Sequence, residues 1–142
     1  MGRILAIDYG RKRTGLAVTD TMQLIANGLT TLSSAELETF LSDYIKKEPV
    51  ELFVLGLPKQ MNNQPSENMK YVEQFAARLE RLFPSIPIAF YDERFTSVLA
   101  HKAMLDGGLK KQQRQNKALV DQISAVIILQ SYLESKKYQY KL

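Results

Sequence analysis

Asp8, Glu93 and Asp121 are the residues of this chain whose types and positions could carry chemistry. Asp8 ends a run of apolar residues, Glu93 lies in Tyr91-Asp92-Glu93-Arg94, and Asp121 interrupts the apolar pattern of a C-terminal helical stretch. Gathered by one fold, such groups repel: two like charges ~4 Å apart cost roughly 4 kcal/mol even at an effective dielectric of about 20. A divalent cation removes that cost, and carboxylates around a cation are what metal-assisted phosphoryl transfer requires. Each acid also has a plainer role. Asp8, two residues before Gly10, could bond its own backbone as a turn residue. Glu93 could pair with Arg94 or end a strand in water. Asp121 could be stabilised by the amino terminus of its helix, with Asn116 as the cap. Asp121 is the most telling of the three, because it shares a helical face with Ser124, Ala125 and Ile128. Two small residues and one apolar residue allow close approach to a strand, and a buried charge is retained only when paired or coordinated. Asp92 and Glu93 are neighbours at a strand end, so their side chains point to opposite faces, and periodicity does not choose between them.

Around these acids lie groups suited to a phosphate backbone. Gly10 and Gly15 bracket Arg11-Lys12-Arg13, either a plain hairpin loop or backbone and cations approaching phosphate. Gly56-Leu57-Pro58 leaves a strand with little side-chain bulk, as a turn or as a place where a substrate strand passes close to the backbone. Thr96 is placed to cap a following helix, and its hydroxyl could also reach a phosphate. Lys110, Lys111, Arg114 and Lys117 make a cationic segment just before Asp121, either simply solvated or holding a nucleic-acid backbone. His101 reads as a surface or packing residue.

The elements that must position these groups follow from the hydrophobic pattern. Residues 3–9 and 15–19 read as antiparallel strands joined by the basic loop, with a third strand over 27–32. Ser33 and Glu36 have the spacing of a capping box, opening a helix whose apolar face is Leu37, Phe40, Leu41, Tyr44 and Ile45. Residues 51–56 form a buried, central strand. A second helix presents Val72, Phe75, Ala76, Leu79, Leu82 and Phe83 on one face, and Pro84 and Pro87 end it before a strand over 88–91. The pattern predicts a helix over 97–105, a mobile polar loop over 109–117, and a final helix over 118–134, apolar almost all round and therefore buried on more than one side. Three strands followed by alternating helices and strands predict an α/β domain, a mixed sheet covered on both faces.

Composition sets the boundaries. The 142 residues suit a single domain over 1–142, and 45% hydrophobic with 24% charged residues supplies a sizeable core. There is no cysteine and one histidine, which excludes disulfides and the nitrogen and sulfur ligand sets of zinc. A metal here is held by oxygens, which favours Mg2+ or Mn2+. Nineteen Lys and Arg against fifteen Asp and Glu give a net charge of +4, a mild lean towards polyanions. No signal-peptide pattern and no apolar run of membrane-spanning length is found, so the expected location is the cytoplasm, away from membranes.

Taken together, Ile4-Leu5-Ala6-Ile7-Asp8-Tyr9-Gly10-Arg11-Lys12-Arg13-Thr14-Gly15, Val54-Leu55-Gly56-Leu57-Pro58, Tyr91-Asp92-Glu93-Arg94-Phe95-Thr96 and Val120-Asp121-Gln122-Ile123 resemble, in order and spacing, the YqgF family. Its members are described as Holliday junction resolvases and as nucleases that process the precursor of small-subunit ribosomal RNA. The resemblance spans nearly the whole chain. It implies a ribonuclease H-like fold, a mixed five-stranded sheet with helices on both faces, and an active site at the carboxyl end of the first strand. It also places Asp8, Glu93 and Asp121 at the catalytic, metal-holding positions, choosing Glu93 over Asp92. Lys12, Arg13, Arg94, Thr96 and the Lys110, Lys111, Arg114 and Lys117 segment would then hold branched DNA or structured precursor RNA. Cutting a symmetric junction would favour a homodimer. The chain departs from the family at Asn62-Asn63, where Asp-Gly is frequent, and at Ser124, where Ala is usual.

Two rival readings come from other classes. A nucleic-acid or ribosome-associated module without catalysis would be indifferent to Asp8→Asn. A nucleotide-handling ATPase-like protein would bind ATP tightly, but that chemistry closes two such domains on the nucleotide and this chain supplies one.

Overall fold

The computed structural model describes residues 2–57, 69–92 and 117–139, with side chains in the last stretch from Gln122 to Ser135. Five strands form one mixed sheet: β1 (Arg3–Tyr9), β2 (Arg13–Thr19), β3 (Ala26–Ser33), β4 (Val50–Leu57) and β5 (Ile88–Asp92), in the order β3-β2-β1-β4-β5. β2 is antiparallel to both β1 and β3, whereas β4 runs parallel to β1 and β5 parallel to β4. The described helices are α1 (Leu37–Lys47), α2 (Met69–Leu82) and α3 (Lys117–Gln139).

β1 is the middle strand, and its run of apolar residues follows from burial on both faces. Leu5 and Ile7 face one layer with Leu16, Phe53, Leu55 and the α1 and α2 residues Leu37, Leu41, Val72, Phe75 and Leu79. Ile4 and Ala6 face the other, with Ala17, Val54 and the α3 residues Ala125, Ile128 and Leu129. Ala6, Ala17 and Ala125 are all fully buried, so small side chains on both partners let α3 lie close to the sheet. It crosses β1, β2 and β3 and touches β4. The approach is close at Gly28, where a Cβ would meet the Gln122 side chain at 2.2 Å.

Three expectations are revised. No side-chain cap hydrogen bond is made by Ser33 or by Glu36, because a 3-10 turn (Ser34–Glu36) intervenes before α1. Leu82 is 46% exposed, off the buried stripe of α2. On α3 the fully covered side chains form one stripe, and Val126 and Ile127 are half-buried. The strand over 51–56 is interior as predicted, one place from the middle. The predicted helix over 97–105 lies outside the described residues, as does the predicted loop up to Asn116, while Lys117 is the first residue of α3. Among the described residues no helix is long and apolar enough to cross a membrane.

At the edge of the sheet remote from Asp8, the β2–β3 turn is set by Asp20. Its carboxylate accepts hydrogen bonds from the backbone N–H of Met22 at 3.1 Å and of Leu24 and Ile25 at 2.9 Å. These bonds, that of Ile25 foremost, hold the Asp20 carboxyl below its ordinary value of 3.8. A depressed folded pKa means the contribution is complete above that ordinary value and is lost as pH falls through the lower folded one. Asp20→Ala is therefore expected to speed amide exchange at Met22, Leu24 and Ile25 at neutral pH. The difference from wild type should vanish under strongly acidic conditions, and unchanged exchange at neutral pH would refute the assignment.

Candidate functional site

Alternation along β1 puts Asp8 on the face of Ile4 and Ala6, the face that α3 covers. Asp8 is half-buried at the carboxyl end of the strand. In β2 it pairs with Gly15. In β4, Ile7 is level with Leu55, so the next residue, Gly56, stands beside Asp8 on the other side. Both adjoining strands are thus without side chains at the level of the carboxylate. A carboxylate oxygen is the kind of donor that suits a hard divalent cation.

β5 divides Asp92 from this face. Ala89 and Tyr91 pack with the α3 layer, whereas Ile88 packs with the α1 and α2 layer, and Asp92 has the parity of Ile88 and Phe90. Asp92 is therefore on the opposite face from Asp8. Glu93, Arg94 and Thr96 lie outside the described residues, as do Lys110, Lys111 and Arg114. Asp121 and Lys117 belong to the first turns of α3, and Asp121 precedes the buried Ser124 and Ala125 by one turn. Gln122, the residue after Asp121, lies against Gly28, which pairs with Ala17, which in turn pairs with Ala6 two residues before Asp8. The start of α3 is thereby laid over the same face as Asp8. Among the described residues no group of three metal-ligating side chains is present.

The β1–β2 loop is rigidly tied. The Ser34 N–H donates to the Lys12 carbonyl at 3.0 Å, its hydroxyl donates to the Gly10 carbonyl, and it shares a 2.8 Å hydrogen bond with the buried Thr14 hydroxyl. Gly10 is required here, because a Cβ would come 2.5 Å from the Arg13 carbonyl oxygen. Arg11 and Lys12 are exposed and Arg13 is half-buried, so the expected cations Lys12 and Arg13 flank the carboxylate end of β1.

Sequence reasoning overlooked what lies beneath this loop. The Arg11 guanidinium sits 4.8 Å from the centre of the Tyr71 ring, and the Lys70 ammonium 5.1 Å from it. The available signal was a tyrosine beside a lysine, one position before the apolar stripe of α2. Tyr9, next to Asp8, stacks on Phe75 at 4.5 Å. Arg78, by contrast, is engaged structurally. The Glu38 carboxylate 2.9 Å from its Nε, and secondarily the Tyr9 hydroxyl, raise its pKa further.

A family model described as RuvX, Holliday junction resolvase, matches residues 2–135. A protein of Parabacteroides distasonis is 73% identical over 139 residues, covering 98% of this chain and 99% of its own length. One of Bacteroides thetaiotaomicron is 65% identical over 138 residues, covering 97% and 100%. Both bear the provisional name pre-16S rRNA nuclease. Among solved structures, Thermus thermophilus RuvC in complex with a Holliday junction substrate aligns over 96% of each chain with a TM-score of 0.57 and 16% identity. At that identity the likeness concerns the fold, the ribonuclease H-like arrangement expected above.

Proposed function

Because this chain belongs to the RuvX Holliday junction resolvase family, we propose that it is a divalent-metal-dependent endonuclease acting on precursor small-subunit ribosomal RNA in the cytoplasm. The observation that carries this reading is the position of Asp8, at the end of the middle strand, facing α3 and flanked by Gly15 and Gly56. RNA is chosen over junction DNA because the relatives that share most of this sequence are named for that substrate.

Asp8, Glu93 and Asp121 would hold the metal. When bound, Mg2+ or Mn2+ supplies a Lewis acid for the phosphoryl oxygens and lowers the pKa of water. Asp8, fixed on the middle strand of the sheet, sets where the scissile phosphate must lie. Lys12 and Arg13, on the loop pinned by Ser34, hold the backbone by charge. Arg94, Thr96, Lys110, Lys111, Arg114 and Lys117 complete that hold. Phosphate contacts carry no base information, so selection rests on the shape of the RNA.

The test incubates purified protein with precursor ribosomal RNA and, separately, a four-way DNA junction, in Mg2+, in Mn2+ and in chelator. Cleavage of the RNA in either metal and none in chelator is expected. Glu93→Gln should lose at least about a hundredfold in rate, since a lost ligand forfeits several kcal/mol of charge stabilisation at about 1.4 kcal/mol per tenfold. Asp92→Asn, on the other face, should stay within about threefold of wild type. Equal cleavage in chelator, or preference for the DNA junction, would overturn the reading in its metal or its substrate respectively.

A further inference from the structure

We propose that Arg11, Lys70 and Tyr71 form a second backbone-holding contact, in which the tyrosine ring positions the two cations to grip a phosphodiester strand running on from the Asp8 site. The proposal rests on the nuclease reading above and extends it to residues on the opposite face of the sheet.

Two cations converge on one ring, at 4.8 Å and 5.1 Å. Both are exposed, Tyr71 is half-buried, and among the described residues neither cation is paired with a carboxylate. Like charges drawn to one aromatic ring repel each other, and the ring quadrupole offsets only part of that cost at an exposed site. The arrangement is completed by an anion, and a phosphate bridging two cations is the anion a nuclease meets.

Its place in the fold suits that ligand. The Tyr9–Phe75 stack and the Arg11–Tyr71 contact place the first turns of α2 beside the end of β1 that carries Asp8. Arg11 follows Asp8 by three residues, which span at most ~11 Å, a few nucleotides along a nucleic-acid backbone. The path between them is stiff: Tyr9 stacks on Phe75, one helical turn after Tyr71. A strand leaving the carboxylate across this edge meets Arg11 and then Lys70. Tyr71 is a positioning residue here, acting through the two cations.

The experiment measures binding of a structured RNA in chelator across a salt series, with steady-state cleavage in parallel. Arg11→Ala combined with Lys70→Ala should reduce the slope of log affinity against log salt by about 2, roughly one per phosphate-holding cation. KM should rise while kcat is unchanged. Tyr71→Leu should weaken binding about two- to fivefold, and Tyr71→Phe, which keeps the ring, should bind as wild type. An unchanged slope in the double variant, or equal losses in Tyr71→Phe and Tyr71→Leu, would overturn the proposal while leaving the nuclease reading intact if wild type still cleaves. Failure of wild type to bind RNA would overturn both.

Discussion

Asp8→Asn is expected to abolish cleavage, lowering the single-turnover rate at least about a hundredfold, while RNA binding in chelator stays within about twofold of wild type. Asparagine keeps the size of the side chain and removes its charge, so the sheet and the Gly15 and Gly56 flanks are undisturbed. On the proposed reading, what is lost is an anionic oxygen ligand, and with it several kcal/mol of transition-state stabilisation at about 1.4 kcal/mol per tenfold. Binding even improves slightly, because a negative group near the phosphate is gone. A variant that cleaves at the wild-type rate would remove Asp8 from the chemistry. A variant that neither cleaves nor binds would point to a folding defect, which its circular dichroism and melting temperature would expose.

Phe75→Ala is expected to be among the most damaging truncations in stability, costing about 3–5 kcal/mol of the roughly 5–15 kcal/mol that holds a domain together. Phe75 is 1% exposed, packs in the larger core layer, and carries the stacked Tyr9 ring. Urea denaturation measures the loss. Leu82→Ala, on the same helix but 46% exposed, serves as the comparison and should cost no more than about 0.5 kcal/mol. In a double-mutant cycle, Tyr9→Ala and Phe75→Ala should couple by about 0.5–1.5 kcal/mol, the range for stacked aromatic pairs. Zero coupling would mean that the two rings are held independently.

The strands were readable where burial decides their composition. Residues 4–7 and 52–55 are continuous apolar runs because they are covered on both faces, and the alternation of helix positions in α1 and α2 marked most of their core sides. β2 was read two residues short. Arg13 and Thr14 join the ladder through Ser33 and Leu32, a pairing between segments that no local pattern announces. The Ser33 capping box failed for a related reason: Ser34 is drawn away to the Gly10 and Lys12 carbonyls, and the chain enters α1 through a 3-10 turn instead. Asp8 was legible as a carboxylate after an apolar run. The side of β5 on which Asp92 falls was not, because parity alone cannot say which face α3 covers. That follows only once Ala89 and Tyr91 are seen to pack with Ala125 and its neighbours. Arg11, Lys70 and Tyr71 were equally hidden, since their meeting depends on the loop and the helix converging at one sheet edge.

With hydrogen as the only substituent on either side of Asp8, the neighbouring strands offer no side chain at that level by which one polymer could be told from another. On the nuclease reading, telling one substrate from another then falls to groups beyond the sheet's own strands.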